Sequence, residues 1–406
     1  MAEKFEIERL GNQGDGVAIG GNAYIPFTLP GETVEAAGDG PRKQLTAILE
    51  WSPHRMEPFC QHFGTCGGCQ LQHFDHDAYL LWKTGLLTEA LAREEIEAEI
   101  RPILHFKPAN RRRAVMTAKR VEGRAQLGFS GKASHELVAI ENCPVLVEPL
   151  QQALAEVSKL ASLIMPKRGD VRINLVACDN GLDLAMDCIT PDQRGIRELI
   201  VHPAARRFIR ISLNQEPVVE VERPVLRTGI ANVTPPAGAF VQASAMCEQA
   251  MADLVVAHLG GCKKVADLFC GFGPFALRLA AGSMVHGMES DVAALLAMDK
   301  AWRETGGRLK ALTHEKRDLF RRPMSAVEMK GFDGVVVDPP RAGAEAQMRE
   351  LAKSAVKKVA AVSCNPQTLA RDLKILVEGG FRILSATPID QFAYTSHLEA
   401  VALLER

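Results

Sequence analysis

The chain has 406 residues, enough for two or three domains and at least one large apolar core. Apolar residues make up 47% and charged residues 24%, proportions of a folded globular protein that exclude a disordered or fibrous chain. With 48 Lys and Arg against 49 Asp and Glu the net charge is −1, which excludes a globally basic nucleic-acid binder but leaves room for local basic patches.

The opening M-A-E-K-F-E-I-E-R-L is charged throughout and lacks the apolar centre of a signal peptide. No stretch approaches the roughly 20 continuous apolar residues of a membrane span. A cytoplasmic protein without membrane contact is expected. Residues 1–50 read as short strands punctuated by Gly14, Gly16, Gly20 and Gly21. They run from Ala23 to Phe27, from Thr33 to Ala36 after the Pro30-Gly31 turn, and from Gln44 to Glu50. That pattern suggests a small β-barrel of OB type. Asp77 to Glu97 has Leu80, Leu81, Leu87, Ala90 and Leu91 at near-helical spacing. Arginine-rich strands follow in 104–142, then a helix from Val147 to Leu163. Val171 to Cys188 reads as a hairpin, because Asn180-Gly181 is the pair a type I′ turn favours. Arg206 to Leu213 and Val218 to Val221 are further short strands, so the middle region is α+β.

From about residue 237 strands and helices alternate. Helix Ser244–His258 leads into strand Lys264–Phe269, helix Phe275–Ala281 into strand Met284–Glu289, and helix Val292–Arg303 into a strand near Leu309–His314. Strand Gly334–Asp338, a helix from about Glu345, strand Lys358–Ser363, helix Thr368–Glu378 and strands Phe381–Thr387 and Leu398–Leu403 complete the series. This predicts a doubly wound, mostly parallel sheet whose ligands lie beyond the carboxyl ends of the strands.

The chemistry-bearing residues fall at those ends. Asp267-Leu268-Phe269-Cys270-Gly271-Phe272-Gly273 joins a strand to a helix, and its glycines let the backbone approach a ligand. Glu289 ends the next strand, where a carboxylate can accept from both ribose hydroxyls, and Asp318 after the third strand can face a base. The G-x-G-x-x-G of a dinucleotide site is absent. Ser363-Cys364-Asn365-Pro366 sets a thiol at a helix N-terminus, where the dipole favours a thiolate. Asp338-Pro339-Pro340-Arg341 lies on the adjacent strand, and Arg341 is suited to hold a carbonyl or favour that thiolate. Glu399, between apolar neighbours, has the surroundings that raise a carboxyl pKa and suit a general base. Cys60, Cys66 and Cys69, with Cys143 further on, make a four-thiol set compatible with either tetrahedral zinc or a [4Fe–4S] cluster. The remaining cysteines, Cys178, Cys188, Cys247, Cys262 and Cys270, read as small core or surface residues. Arg111, Arg112, Arg113, Lys119 and Arg120 form a basic stretch suited to RNA phosphates, with Arg206, Arg207 and Arg210 a weaker second one.

The loop D-L-F-C-G-x-G, the acidic strand ends and D-P-P together resemble class I methyltransferases. S-C-N-P-x-T-L-A-R-D (Ser363 to Asp372), D-P-P-R-x-G (Asp338 to Gly343) and H-L-E (His397 to Glu399) narrow this to the RNA 5-methyluridine methyltransferases, which the chain resembles over nearly its whole length. The resemblance implies a methyl transfer from S-adenosylmethionine to carbon 5 of a uridine flipped out of its stack. It makes Cys364 the nucleophile and Glu399 the base. Phe240-Val241-Gln242 matches the family's F-x-Q, whose glutamine touches cofactor and target. Gln242, Asp267, Phe269, Gly271, Gly273, Glu289, Asp318 and Asp338 are then the expected cofactor residues, with Gln242, Asp338 and Arg341 also in the catalytic set. Pro274 departs from the small or polar residue usual at its position. The cysteine spacing resembles the family's iron–sulfur branch, so a structural [4Fe–4S] cluster on Cys60, Cys66, Cys69 and Cys143 is expected. Three parts follow. Residues 1–54 form a TRAM-like RNA-binding barrel, 55–71 with 104–236 a cluster-bearing central domain, and 72–103 with 237–406 the methyltransferase domain. TRAM-like barrel and four cysteines together resemble the bacterial 23S ribosomal RNA branch, so 23S rRNA is the expected partner of a monomer. The alternatives are the T-loop uridine of tRNA, a cytosine-5 methyltransferase, and an RNA-binding protein with an inactive methyltransferase fold.

Overall fold

In the computed structural model, which describes residues 2–132, 134, 136–166, 168–188 and 190–406, three large sheets follow one another along the chain. The first joins β1 (Glu3–Leu10), β2 (Gly16–Ala18), β3 (Tyr24–Ile25), β4 (Thr33–Ala37) and β5 (Gln44–Glu50) in the order β3-β2-β1-β4-β5. Tyr24 backbone groups pair with Pro41 and Lys43, drawing the β3 edge to the start of β5. Ile7, Ile25, Val34 and Ala36 fill the interior. A register shift in β1 between Ile7 and Arg9 breaks the alternation and turns Leu10 away from that interior. Leu10 packs instead with Leu29, Leu71, Phe74 and Tyr79, fastening the sheet to the segment that follows.

Helix α1 (His76–Arg93) begins at Asp75, whose Oδ1 accepts from the N–H groups of Asp77 and Ala78, both at 3.1 Å. Its Leu86, Leu87, Ala90 and Leu91 enter the core of the third sheet. The second sheet holds β6 (Arg113–Val121), β7 (Arg124–Ser130), β8 (Leu137–Ala139), β9 (Val171–Cys178), β10 (Gly181–Asp187), β11 (Arg210–Leu213) and β12 (Glu216–Glu220) in the order β12-β11-β10-β9-β6-β7-β8. Helix α2 (Glu148–Ile164) covers it with Leu150, Leu154, Val157 and Ala161, one stripe at helical spacing. Helix α3 (Gln193–Val201) and the short hairpin of β13 (Leu226–Thr228) and β14 (Ala231–Val233) complete this region.

Two local expectations fail here. Cys178 pairs with Gly181, so the hairpin turn is Asp179-Asn180, and neither residue has the positive φ of a type I′ turn. The Asn180 amide is held elsewhere, donating to Arg223 O at 2.9 Å and accepting from Val225 N at 2.8 Å. Arg206 to Leu213 is not one strand either. Pro203–Arg207 forms a 3₁₀ turn capped by His202, and only Arg210–Leu213 joins the sheet.

The third sheet carries the candidate site. It is built from α4 (Ala245–Leu259), β15 (Lys264–Leu268), α5 (Ala276–Leu279), β16 (Met284–Glu289), α6 (Val292–Glu304), β17 (Leu312–Lys316), β18 (Gly334–Val337), α7 (Glu345–Lys353), β19 (Lys358–Ser363), α8 (Pro366–Glu378), β20 (Arg382–Ile389) and β21 (Glu399–Glu405). The strand order is β17-β16-β15-β18-β19-β21-β20, with β21 antiparallel to its neighbours. This is the class I methyltransferase sheet, and its winding reverses between β15 and β18, where a crevice opens at the strand ends. Runs such as Val335-Val336-Val337 are fully buried, as strands covered on both faces require. Residues 100–104 lie along β20 through bridges from Ile100 to Ala386 and from Leu104 to Ile389, so 76–104 sits on this sheet.

Candidate active site

The loop after β15 leaves the strand through Phe269 at φ +64°, a left-handed conformation strained for a large side chain. Gly271 (φ +51°) has nothing within 4 Å of where a Cβ would stand, so its backbone faces open space. Gly273 is crowded instead. A Cβ there would meet Met298 Cγ at 2.7 Å, so this glycine lets the loop close onto α6. Glu289 Oε2 accepts from Gly271 N at 3.2 Å, while its Oε1 accepts from Ser290 N and Asp291 N at 2.6 and 2.9 Å. Asp267 is wholly buried with neither carboxylate oxygen hydrogen-bonded, and burial, Asp338 and Glu289 push its pKa well up. Asp318 lies exposed after β17, accepting from Phe320 N at 3.0 Å. Phe320, which belongs to none of the sequence motifs, is half exposed with its ring 5.3 Å from that of Phe269.

Cys364 stands between β19 and α8. Asn365 caps α8 by accepting from Gln367 N and also donates from Nδ2 to Arg341 O, both at 3.2 Å. Thr368 Oγ1 donates to the same Arg341 carbonyl at 3.2 Å, and Asp372 Oδ2 accepts from Ala344 N at 2.7 Å. A Cβ at Gly343 (φ +74°) would lie 2.7 Å from that Asp372 oxygen. Side chains of the Cys364 motif therefore lace it to the main chain that follows Asp338. The expectation of a stabilised thiolate needs correction. Burial and the carboxylates Glu399 and Asp338 push the Cys364 thiol up to about 11, and Arg341 is the nearby charge that opposes them. Glu399, first residue of β21, is buried and pushed up to about 8 by desolvation and then by Asp338. Asp338 is raised too, chiefly by desolvation. Arg341 Nη2 donates to His397 Nδ1 at 3.2 Å.

Gln242 sits beside this group. Its Oε1 accepts from Gln391 Nε2 at 2.9 Å, and the same nitrogen donates to Glu399 Oε2 at 2.9 Å. Its main-chain oxygen accepts from Arg112 Nε at 3.1 Å. Arg112 Nη2 then meets Glu248 Oε2 at 2.6 Å, and Arg278 Nη2 meets Glu248 Oε1 at 3.1 Å. Arg278 also donates to Pro274 O at 2.6 Å, so the departure at Pro274 leaves a main-chain anchor for the loop. Arg112, expected among the RNA contacts, is buried in this network and does not face solvent. Arg120 is exposed but donates to Met165 O at 2.8 Å, and Arg210 of the second basic candidate is buried against Asp183. Arg113 lies over the exposed Phe240 ring at 5.0 Å, Lys119 is 3.9 Å from Asp170, and Arg111 lies near Cys143 and Cys69.

The loop Gln391–Ser396, which leads into His397 and Glu399, is held from outside the third sheet. Lys83 and Tyr79 of α1 both bind the Asp390 carboxylate, Lys83 Nζ donates to Phe392 O at 2.9 Å, and Tyr394 N donates to Tyr79 Oη at 2.8 Å. Gln70, next to Cys69, donates its N–H to Tyr394 O at 2.8 Å and accepts from Ser396 N at 3.2 Å. Sequence spacing gives no sign of these links, which span more than 300 residues. Among the described residues no three His, Cys, Asp or Glu side chains close on a single metal ion. The four candidate thiols nevertheless feel one another. Burial and then the other three cysteines push Cys69 up to about 12, and Cys143 reaches about 11 through burial and the charges of Cys60 and Cys66. A cavity of about 600 Å³ connects Asn12 and Arg42 of the first sheet, Gly68, Lys132, Arg341 and Cys364.

A family model described as tRNA (uracil-5-)-methyltransferase matches residues 302–406. A protein of Mesorhizobium japonicum described as an uncharacterized RNA methyltransferase is 47% identical over 100% of this chain and 98% of its own. The 23S rRNA (uracil(1939)-C(5))-methyltransferase of Vibrio vulnificus is 31% identical over 98% of this chain and 95% of its own. Among solved structures, the tRNA (uracil-54, C5)-methyltransferase of Pyrococcus abyssi, in complex with S-adenosyl-L-homocysteine, superimposes with a TM-score of 0.76 at 23% identity, covering 100% of both chains.

Proposed function

The chain belongs to the RNA (uracil-5-)-methyltransferase family, and within it we propose that the protein methylates carbon 5 of a uridine in 23S ribosomal RNA through a covalent adduct with Cys364. It is an S-adenosylmethionine-dependent RNA methyltransferase. The observation that carries the mechanism is the mutual electrostatic reach of Cys364, Arg341, Asp338 and Glu399 at the ends of β18, β19 and β21. The near full-length likeness to the Vibrio vulnificus enzyme favours 23S rRNA over tRNA.

Carbon 5 of uracil is a poor nucleophile. Addition of the Cys364 sulfur to carbon 6 shifts the ring electrons toward carbon 5 and its neighbouring carbonyl, and carbon 5 then takes the methyl group. Glu399 removes the proton left on carbon 5, the electrons return to the ring, and the Cys364 sulfur leaves. A carboxyl raised to about 8 is basic enough for this near neutral pH. The thiol itself, at about 11, is protonated in the free protein, and its proton must leave as it attacks. Arg341 favours that loss, and neutralising the two nearby carboxylates favours it further.

Asp267, Glu289, Asp338 and Glu399 gather in one crevice, where Asp338 helps to push up both Asp267 and Glu399, and Gly271 leaves room beside them. Such a site fits a cation. S-adenosylmethionine, when bound, supplies the electrophilic methyl and that positive charge. Asp267, Phe269, Gly271, Gly273, Glu289, Asp318, Asp338 and Gln242 are the proposed cradle. Cys60, Cys66, Cys69 and Cys143 are proposed to hold a [4Fe–4S] cluster. What supports this reading is the cysteine spacing, together with the mutual electrostatic reach of the four thiols. Its role is structural, through Gln70, on the loop before Glu399. The first sheet is read as the TRAM-like RNA-binding unit, because Asn12 and Arg42 face the cavity shared with Cys364.

The test is methyl transfer from labelled S-adenosylmethionine to unmodified 23S rRNA and tRNA transcripts, followed by nucleoside mass spectrometry. 5-Methyluridine in 23S rRNA alone is expected. Activity on tRNA alone overturns the substrate, and 5-methylcytidine overturns the base.

A further inference from the structure

We propose that Gln391 is a positioning residue that sets the hydrogen-bond polarity of Gln242, so that the pocket offers the target base a donor and selects a carbonyl over an amino group at carbon 4. The inference rests on the reading above and takes Gln242, the match to a glutamine that touches both cofactor and target, to reach the base. It starts from one nitrogen. Gln391 Nε2 has two hydrogens, and both are spent, one on Glu399 Oε2 and one on Gln242 Oε1, each at 2.9 Å. When it acts as the base Glu399 is ionised, and an ionised carboxylate only accepts, so in that state Glu399 dictates which end of the Gln391 amide faces it. The Gln391 oxygen is buried without a partner, so it does not hold the amide in place. Turning the amide over would set that oxygen against the carboxylate and leave the nitrogen unbound.

The constraint passes on to Gln242. Its oxygen is occupied by Gln391, and its backbone is pinned by Arg112. Its Nε2 therefore faces the other way, and among the described residues no acceptor takes it. That nitrogen is not among the buried unpaired atoms sealed off from solvent, so it is left open to a ligand. Uracil presents a carbonyl oxygen at carbon 4, which accepts. Cytosine presents an amino group, which donates and would meet a second donor. Sites built to satisfy one polarity reject the opposite one strongly, because a desolvated donor is left unpaired.

The experiment is single-turnover adduct formation with target RNA carrying either 5-fluorouridine or 5-fluorocytidine. The wild type should strongly prefer the uridine form. Gln391→Met frees Gln242 to turn over, and the preference should fall by about 10-fold or more. Gln391→Glu, which when ionised can only accept, draws the Gln242 nitrogen inward and should lower the preference further. Calorimetry with S-adenosylhomocysteine identifies the folded variants, which should still bind it. Equal loss of rate on both RNAs, leaving the ratio unchanged in either folded variant, overturns the inference. If the wild type itself forms no uridine adduct, it is the reaction assigned above that fails.

Discussion

Glu399→Gln removes a titration that the fold holds far from its ordinary range. Burial and Asp338 raise this carboxyl from 4.5 to about 8. Between those values the folded chain keeps a proton that the unfolded chain has released. The folded state then binds more protons, so this contribution to stability is complete below the ordinary value and is lost as pH rises through about 8. A gap of about 3.5 units at 1.36 kcal/mol each sets a ceiling of about 5 kcal/mol. Asp338 titrates with it, so the pair carries the effect, and about 2–3 kcal/mol between pH 5 and 9 is the working expectation. The amide is close in shape, and its carbonyl can still accept from Gln391. Urea titration at pH 5, 7 and 9, with hydrogen exchange read across Glu399–Glu405, measures the difference. Variant and wild type should match at pH 5, and the variant should be more stable by about 2 kcal/mol at pH 9. A difference that does not change with pH refutes the reasoning. The same variant should accumulate a covalent RNA adduct, since the carbon 5 proton then has no base.

Cys364→Ala should abolish both turnover and adduct formation while S-adenosylhomocysteine still binds by calorimetry. A residual adduct on gel electrophoresis would place the nucleophile elsewhere. Cys143→Ser should lose the visible absorbance of the proposed cluster and lower kcat with 23S rRNA, because Gln70 no longer holds Tyr394 and Ser396 in place. Full absorbance in that variant removes Cys143 from the ligand set. Arg112→Met leaves Glu248 with Arg278 as its one cationic partner among the described residues and frees the Gln242 backbone. It should cost about 3 kcal/mol in urea titration and slow turnover. An unchanged midpoint means that Arg278 satisfies Glu248 alone.

The doubly wound sheet was legible because its strands are buried on both faces and its helices alternate with them in a fixed rhythm. The residues at the strand ends were legible for the same reason: once β18 and β19 are found, Asp338 and Cys364 have only one place to go. Long-range pairing escaped that reasoning. Arg112 lies in a run of three arginines that looks like a phosphate surface, and only the fold shows Glu248 waiting for it across 136 residues. Asn180-Gly181 looks like a turn pair, but the Asn180 side chain is claimed by 223–225, and tertiary bonding shifts the turn by one residue. Gln391 belongs to no pattern, since a lone glutamine in a loop reads as surface until its two partners are seen.

The position of Glu399 depends on helix α1, the cysteine loop and the second sheet as well as on its own strand. Helix α1 holds Asp390 and Phe392 through Lys83 and Tyr79, the cysteine loop holds Tyr394 and Ser396 through Gln70, and the second sheet reaches Gln391 through Arg112 and Gln242. Buried polar anchors of this sort contribute little net stability, because desolvation offsets much of their attraction. What they do provide is placement. A Glu399 free to swing into water would recover an ordinary carboxylate pKa and be too weak a base at neutral pH to take a proton from carbon. Held in place by Gln391 but buried beside Asp338, it keeps the raised value that the proposed reaction uses, since burial and Asp338 outweigh the lowering by the Gln391 hydrogen bond. The insertion of a helix and a cysteine loop from early in the chain is therefore a condition of the chemistry, since the strand that carries Glu399 cannot by itself fix the segment leading into it.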